Sequence, residues 1–199
     1  MAAGVSMTVE AGDLQRMIAE VEKMRGAVES DKIKSEMGFA VMQTVREHFA
    51  LIAQDDEHHK SANSLGADRT GFYERARQNT QQPTVVPEGV VVSILQAGIA
   101  QRYFGGDIDA KPGGYLTIPA LAAAYGRRAR EFDLRFVIFG KTGKVALLDA
   151  EGSVYYWLVK HVTQSGDETI LPTEEEMIVA AQKAAGDYMD AVWSNQASP

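Results

Sequence analysis

The stretch Arg135-Phe-Val-Ile-Phe-Gly-Lys-Thr-Gly-Lys-Val-Ala-Leu-Leu-Asp149 decides the fold class. Two runs rich in β-branched and aromatic residues, Arg135 to Phe139 and Lys144 to Asp149, flank Gly140-Lys141-Thr142-Gly143. That order predicts a β-hairpin. The Gly-Lys-Thr triplet does not make a phosphate loop, which requires an earlier glycine and a following helix; both are missing. Immediately downstream, Val154 to Val162 reads as one long aromatic strand. Val154, Tyr156, Leu158 and Val162 fall on one face, and Tyr155, Trp157 and Val159 on the other.

Working outward, Thr84 to Val86 and Val90 to Leu95 flank Pro87-Glu88-Gly89, a second hairpin. Tyr115 to Ile118 is extended and Pro119 stops it. Residues 97–104 form a short helix running into Gly105-Gly106. The alanine-rich residues 120–131 read as helical. Further out the period changes to that of helices. Leu14, Met17, Ile18, Val21, Met24 and Val28 follow helical spacing over residues 11–29. Ile33, Met37, Val41, Val45, Phe49 and Ile52 do so over residues 31–53, with Asp31 as N-cap. Gln54 to Leu65 reads as a polar loop closed by Gly66, and residues 67–79 as a helix. At the C-terminal end, Thr173 and Glu176 make a capping box. Glu174 and Glu175 suit the positive end of a helix dipole. Met177, Ile178, Ala181, Ala184, Tyr188, Met189 and Val192 supply the apolar face, and Ser194 to Pro199 are expected to fray. The expected fold is α+β: an antiparallel β-sheet packed by helices, with a C-terminal helix. An N-terminal helical arm over residues 1–57 and an α+β core over 58–199 together make one domain.

Composition narrows the chemistry. The 199 residues include no cysteine, which removes disulfides, thiolate metal sites and cysteine nucleophiles. No apolar run is long enough to span a membrane. The N-terminal residues lack the basic and apolar regions of a signal peptide, so synthesis in a cytoplasm is expected. Charge is segregated: residues 1–57 carry net -5, residues 58–150 net +4 and residues 151–199 net -6. A basic middle between acidic ends fits nucleic acid, or the acidic end of an identical neighbour.

The sequence offers four histidines, His48, His58, His59 and His161, and the acidic run Asp55-Asp56-Glu57 stands beside the His58-His59 pair, so a zinc or iron site is conceivable. They match no metal signature, and the default is a solvated polar loop in which His58 and His59 point different ways. Ser64, Ser93 and Ser153 lack a nucleophile elbow. Asp107 and Asp109 fall in a Gly-rich loop. No catalytic set, cofactor site or metal site is expected, and the chain reads as a non-enzyme. Arg127, Arg128, Arg130 and Arg135 form the densest basic cluster. It suits a solvated helical face, an acidic partner or a DNA backbone, since guanidinium pairs with carboxylate and phosphate alike. A nucleic-acid-binding protein using this cluster, and a metal-dependent hydrolase built on His48, His58 and His59, are the alternative readings.

Two stretches carry a family resemblance. Residues 61–73 resemble the "Asn-x-Leu-Gly-Gly-x-Arg-Thr-x-Phe-Tyr" segment of the phage virion morphogenesis family, the tail-completion proteins of Mu-like phages and prophages. The matches are Asn63, Leu65, Gly66, Arg69, Thr70, Phe72 and Tyr73, while Ala67 departs from the second glycine. Residues 100–106 with Pro112 and Leu116-Thr-Ile-Pro119 are similar to "His-x-Phe-Gly-Gly … Leu-x-Ile-Pro" through Phe104, Gly105, Gly106 and Pro119. Arg102 stands where that pattern has His. The resemblance spans about residues 31–193. It implies a structural virion protein at the head–tail junction, assembled in the host cytoplasm as a homo-oligomeric ring. It also implies neighbouring head-connector and tail proteins as partners, with DNA in the lumen and no membrane. A closed ring needs two different surfaces that fit each other, and the acidic terminal helices against the basic centre are the candidate pair. Within one subunit, Gly66 is expected to end or bend the chain, Arg69 to anchor the loop to a carboxylate or carbonyl, and Phe72 and Tyr73 to pack their helix. Gly105 and Gly106 are expected to allow positive φ.

Overall fold

A computed structural model describes residues 11–140 and 142–194. Lys141 of the expected hairpin turn and residues 195–199 of the expected frayed end lie outside the described residues. The fold is α+β, with helices at both ends of the described chain and antiparallel strand pairs between them. The contacts divide the chain into two compact units. Against an expected boundary at residue 57, the division falls within the second helix, after Thr44.

The first unit holds α1 (Ala11–Val28), the first part of α2 (Asp31–Ile52), the hairpin β1 (Thr84–Val86) and β2 (Gly89–Val91), and α6 (Glu174–Ser194). Two residues separate α1 from α2, and Ser30 organises the break. Its hydroxyl donates to the Ala27 carbonyl at 2.7 Å and accepts from the Ile33 amide at 3.4 Å. The cap of α2 is therefore Ser30, not Asp31, which occupies the first turn. Gly38 lets the hairpin close on α2, since a Cβ there would stand 2.5 Å from Val90 Cγ2 and 2.6 Å from Pro83 Cβ. The ammonium of Lys32 lies 5.6 Å from the centre of the Tyr188 ring of α6. α6 begins directly after Thr173 with three glutamates in its first turn. Of its expected apolar face, Ile178 is exposed and the other members are half-buried.

The second unit runs over residues 45–81 and 94–173. It contains the end of α2, then α3 (Lys60–Leu65), α4 (Phe72–Gln78), α5 (Ile99–Phe104), β3 (Gly105–Asp109) and β4 (Leu116–Pro119). The strands β5 (Arg135–Ile138), β6 (Val145–Leu148), β7 (Val154–Val159) and β8 (His161–Ser165) follow. β5 and β6 pair as the hairpin read from the sequence, inside a four-stranded sheet of order β4-β7-β6-β5. β4 and β5 are its two edges, yet the rings of Tyr115 and Phe136 beside those edges stand only 6.1 Å apart. Tyr156 and Leu158 are buried on it, while Ala146 and Leu148 are buried on β6.

Four further expectations need correction. The long strand Val154–Val162 is two strands. The chain bends at Lys160, after which β8 leaves the four-stranded sheet and pairs with β3. The Lys160 ammonium fixes the bend by donating to the Gly114 carbonyl at 2.5 Å and lying 3.7 Å from the Tyr115 ring centre. Gly105 to Asp109 form a strand rather than a loop. Gln54 to Leu65 include a 3-10 turn, Glu57–His59, and helix α3 rather than a continuous loop. Residues 120–131 are not a helix but two 3-10 turns, Ala122–Ala124 and Ala129–Glu131. Gly126 sits between them at φ +72°. The hydroxyl of Tyr156 lies 3.1 Å from the carbonyls of both Ala124 and Arg127, and the Arg128 amide donates to Glu131 Oε1 at 3.1 Å. Groups that a continuous helix would join to each other are thus spent elsewhere.

Candidate functional site

The segment 61–73 is tied to the exit of α2. Helix ends leave carbonyls without intrahelical partners, and a cation there is favourable. Arg69 supplies both: Nη1 donates to the Ala53 carbonyl at 2.9 Å, and Nη2 to Asp56 Oδ1 at 2.6 Å. Asn63 Nδ2 donates to the Asp56 carbonyl at 3.1 Å. Between them, Gly66 closes α3 at φ +62°. Its amide donates to Asn63 O at 3.1 Å, and the Ala67 amide to Ala62 O at 2.9 Å. This is the left-handed helix terminator that glycine favours. Leu65 is half-buried. Thr70 meets Gly126 closely enough that a Cβ there would lie 2.8 Å from Thr70 Cγ2.

Phe72 and Tyr73 open α4. Tyr73 is 2% exposed. Its ring stacks on Phe49 of α2 at 6.4 Å and stands edge-on to Phe72 at 5.3 Å. Burying an aromatic side chain of this kind contributes roughly 1.5–3 kcal/mol. His58 and His59 also stand edge-on to it, at 5.9 and 5.6 Å. The two neighbouring imidazoles therefore converge on one ring instead of pointing apart in a solvated loop.

The second stretch meets the first here. The Arg102 guanidinium lies 4.0 Å from the centre of the Phe72 ring and 5.4 Å from that of Tyr73. Its Nη1 donates to the Tyr73 hydroxyl at 3.2 Å. Burial raises the Tyr73 pKa above 10.0, against the opposing pull of the Arg102 hydrogen bond. Gly105 follows at φ +69°, against the end of β8; a Cβ there would lie 2.3 Å from the Gly166 amide nitrogen and 2.6 Å from the Gln164 carbonyl. Gly106 also has positive φ, but a Cβ there would meet only Gln101 Nε2, in ordinary contact at 3.7 Å. Phe104 is exposed, and Pro119 ends β4 opposite Tyr156.

An open pocket of about 620 Å³ lies beside this junction, lined by His58, His59, Tyr73, Arg102, Asp167 and Thr169 among others. Several of its polar groups are held by hydrogen bonds. His58 Nδ1 donates to Asp55 Oδ2 at 2.9 Å, and its Nε2 is 3.0 Å from Thr169 Oγ1. His48 Nε2 donates to the Thr169 carbonyl at 2.9 Å. The Thr169 hydroxyl and amide both donate to Asp167 Oδ1, at 2.5 and 3.1 Å. The Glu57 amide and the His58 bond hold the Asp55 carboxyl below its usual range. His59 is buried, which lowers its pKa, and its Nε2 has no hydrogen-bond partner among the described residues. Among the described residues no group of three or more His, Asp or Glu side chains is placed to hold a metal ion. His48 and His58 meet on Thr169, a residue the sequence reading did not single out. Its signal is the Asp-x-Thr spacing of Asp167 and Thr169, a side-chain-capped turn.

The other candidates are dispersed. His161 sits on β8 facing β3. Its Nδ1 donates to Asp109 Oδ1 at 2.9 Å, which raises the imidazole pKa above 6.5. The Thr163 hydroxyl donates to Asp107 Oδ1 at 2.7 Å. Asp107 and Asp109 are thus cross-strand partners. Arg127, Arg128, Arg130 and Arg135 are all exposed, but the first three do not share a helical face. Arg127 is held by Glu131 at 3.2 Å and by the Phe132 ring at 4.3 Å. Gly140, Thr142 and Gly143 lie between the paired strands β5 and β6, and the Thr142 and Gly143 amides donate to the Phe139 carbonyl at 3.1 and 2.8 Å.

No family model, no curated protein and no solved structure matches this chain.

Proposed function

We propose that the chain is a structural subunit of a phage virion, a tail-completion or neck protein that assembles into a ring at the head–tail junction. The observation that carries the reading is the meeting of the two resembling stretches at Arg102, Phe72 and Tyr73. Residues 29 and 30 positions apart in sequence, here within one packed contact, are what two parts of one family pattern require. The residue types of that pattern serve packing: Arg69 clamps the end of α2, Gly66 stops α3, Gly105 admits β8, and Tyr73 fills the core. None is left free for bond-making chemistry, which favours a building block over an enzyme. The exposed arginines Arg127, Arg128, Arg130 and Arg135 supply a basic surface for an acidic neighbour.

Negative-stain imaging of the purified chain, with light scattering for particle mass, tests the proposal. Closed rings of one subunit number are expected. A chain that stays monomeric, or forms only open or two-fold particles at every concentration, refutes the ring.

A further inference from the structure

α1 touches α6 and buries Ala27, yet the rest of its apolar seam stays exposed. Every side chain described from Gln15 to Gly26 is exposed. Yet five of the side chains described on α1 are large, apolar and exposed: Met17, Ile18, Val21, Met24 and Val28, with exposures from 36% to 65%. A short helix is marginal in water unless an apolar face is buried. The spacing of these residues identifies the missing cover. Leu14, Met17, Val21, Met24 and Val28 recur at intervals of three, four, three and four. That is a heptad seam with Leu14, Val21 and Val28 at a, and Met17 and Met24 at d. A lone amphipathic helix packing on a globular core has no need of strict 3-4 alternation; a coiled coil does.

The flanking positions choose the partner. Glu20 falls at g and Arg25 at e. In a parallel pair, g of one helix faces e of the next heptad in its neighbour, five residues on, so Glu20 of one copy meets Arg25 of the other, twice by symmetry. In an antiparallel pair, g faces g, which sets Glu20 of one copy against Glu20 of the other. β-branched valines at two a positions favour two strands. The remaining charges, Arg16, Glu22 and Lys23, fall at the outer b and c positions, and Gly26 is at f, away from the seam. Within one helix, Arg25 Nε pairs with Glu29 at 3.1 Å, an exposed contact that leaves other guanidinium nitrogens free to reach across.

We infer that α1 is a self-association element: it pairs in parallel with α1 of a second copy of this chain through Met17, Val21, Met24 and Val28. The seam covers two heptads, so the association is weak by itself and strengthens when other contacts bring copies together. The inference does not depend on the phage reading.

The absence of cysteine makes the test direct, in the full chain. Met24→Cys at d places two thiols face to face in a parallel pair. Gly26→Cys at f places them apart. Under mild oxidation the first is expected to give a disulfide-linked dimer and the second at least tenfold less. Val21→Asp added to Met24→Cys is expected to abolish the link. Arg25→Glu is expected to weaken it several-fold, and Glu20→Arg together with Arg25→Glu to restore it. Only an intermolecular pair restores, because Glu20 and Arg25 lie on opposite flanks of one helix. Three results overturn the inference. They are equal cross-linking at both positions, no rescue by the double exchange, and Met17→Cys cross-linking to Met24→Cys as readily as each does to itself. Rings that form without the Met24→Cys link would sink this inference and leave the ring standing. Linked dimers that never close into rings would do the reverse.

Discussion

Removing the Tyr73 hydroxyl and the Arg102 guanidinium, separately and together, measures the contact that joins the two resembling stretches. Tyr73→Phe keeps the buried ring and its stack on Phe49. Arg102→Met keeps most of the side-chain volume over Phe72. A hydrogen bond to a charged group contributes about 1.5–3 kcal/mol. At 3.2 Å, with Arg102 only half-buried, the low end applies, so the expected coupling is about 1.5 kcal/mol. Arg102→Met also loses the guanidinium over Phe72, about 0.5–1 kcal/mol more. The single changes should therefore cost about 1.5 and 2–2.5 kcal/mol, and the double change little more than Arg102→Met alone. Urea unfolding reads this out. With a slope of about 2–3 kcal/mol per molar, the Tyr73→Phe midpoint falls by about 0.5–0.75 M. Additive single effects, with a coupling below about 0.3 kcal/mol, would mean that the stretches are energetically independent. The support that their meeting lends to the proposed function would go with it.

Gly105→Ala meets Gly166 and Gln164 backbone and a positive φ at once, so it should cost about 3 kcal/mol or more, or prevent folding; Gly66→Ala, with positive φ alone and open space, should cost about 1–2 kcal/mol. Equal midpoints for these two variants would contradict the tight β3–β8 approach. His161 is expected to titrate above 6.5 by proton NMR, and Asp109→Asn to bring it down. Since the folded pKa is raised, the stability from this contact is fully present below 6.5 and is lost as pH rises through the folded value; an unmoved imidazole in the Asp109→Asn chain would refute the pairing. Arg127→Glu, Arg128→Glu and Arg130→Glu combined should block ring closure with an unchanged circular dichroism spectrum. Each exposed pair contributes only about 0–1 kcal/mol, but every interface repeats them. Rings surviving that change would shift the contact to apolar surface.

The sequence by itself determined what local physics controls. Alternation around a glycine-rich turn predicted the β5–β6 hairpin. Helical periodicity located α2 and α6, and the Pro-Glu-Gly turn marked the β1–β2 hairpin. The side-chain period and turn chemistry act over a few residues and do not wait for partners. Within the candidate site, the residue types of segment 61–73 were legible, including the value of an arginine and a glycine near a chain reversal. What they hold was not, because Ala53, Asp56 and Arg102 lie 16, 13 and 33 positions from Arg69 along the chain. The same limit explains the elements misread. Val154 to Val162 has one unbroken alternating pattern, and only the competing partners β4, β6 and β3 divide it at Lys160. Gly105 to Asp109 carries no apolar period and becomes a strand because β8 offers it a ladder. Alanines 122–124 have high helix propensity, yet the Tyr156 hydroxyl, 32 residues away from Ala124, takes the carbonyl that would continue the helix. His48, His58 and Thr169 come together across more than 100 positions. Strand partners, buried hydroxyls and ring contacts are chosen by groups distant in sequence, so tertiary structure alone decides them.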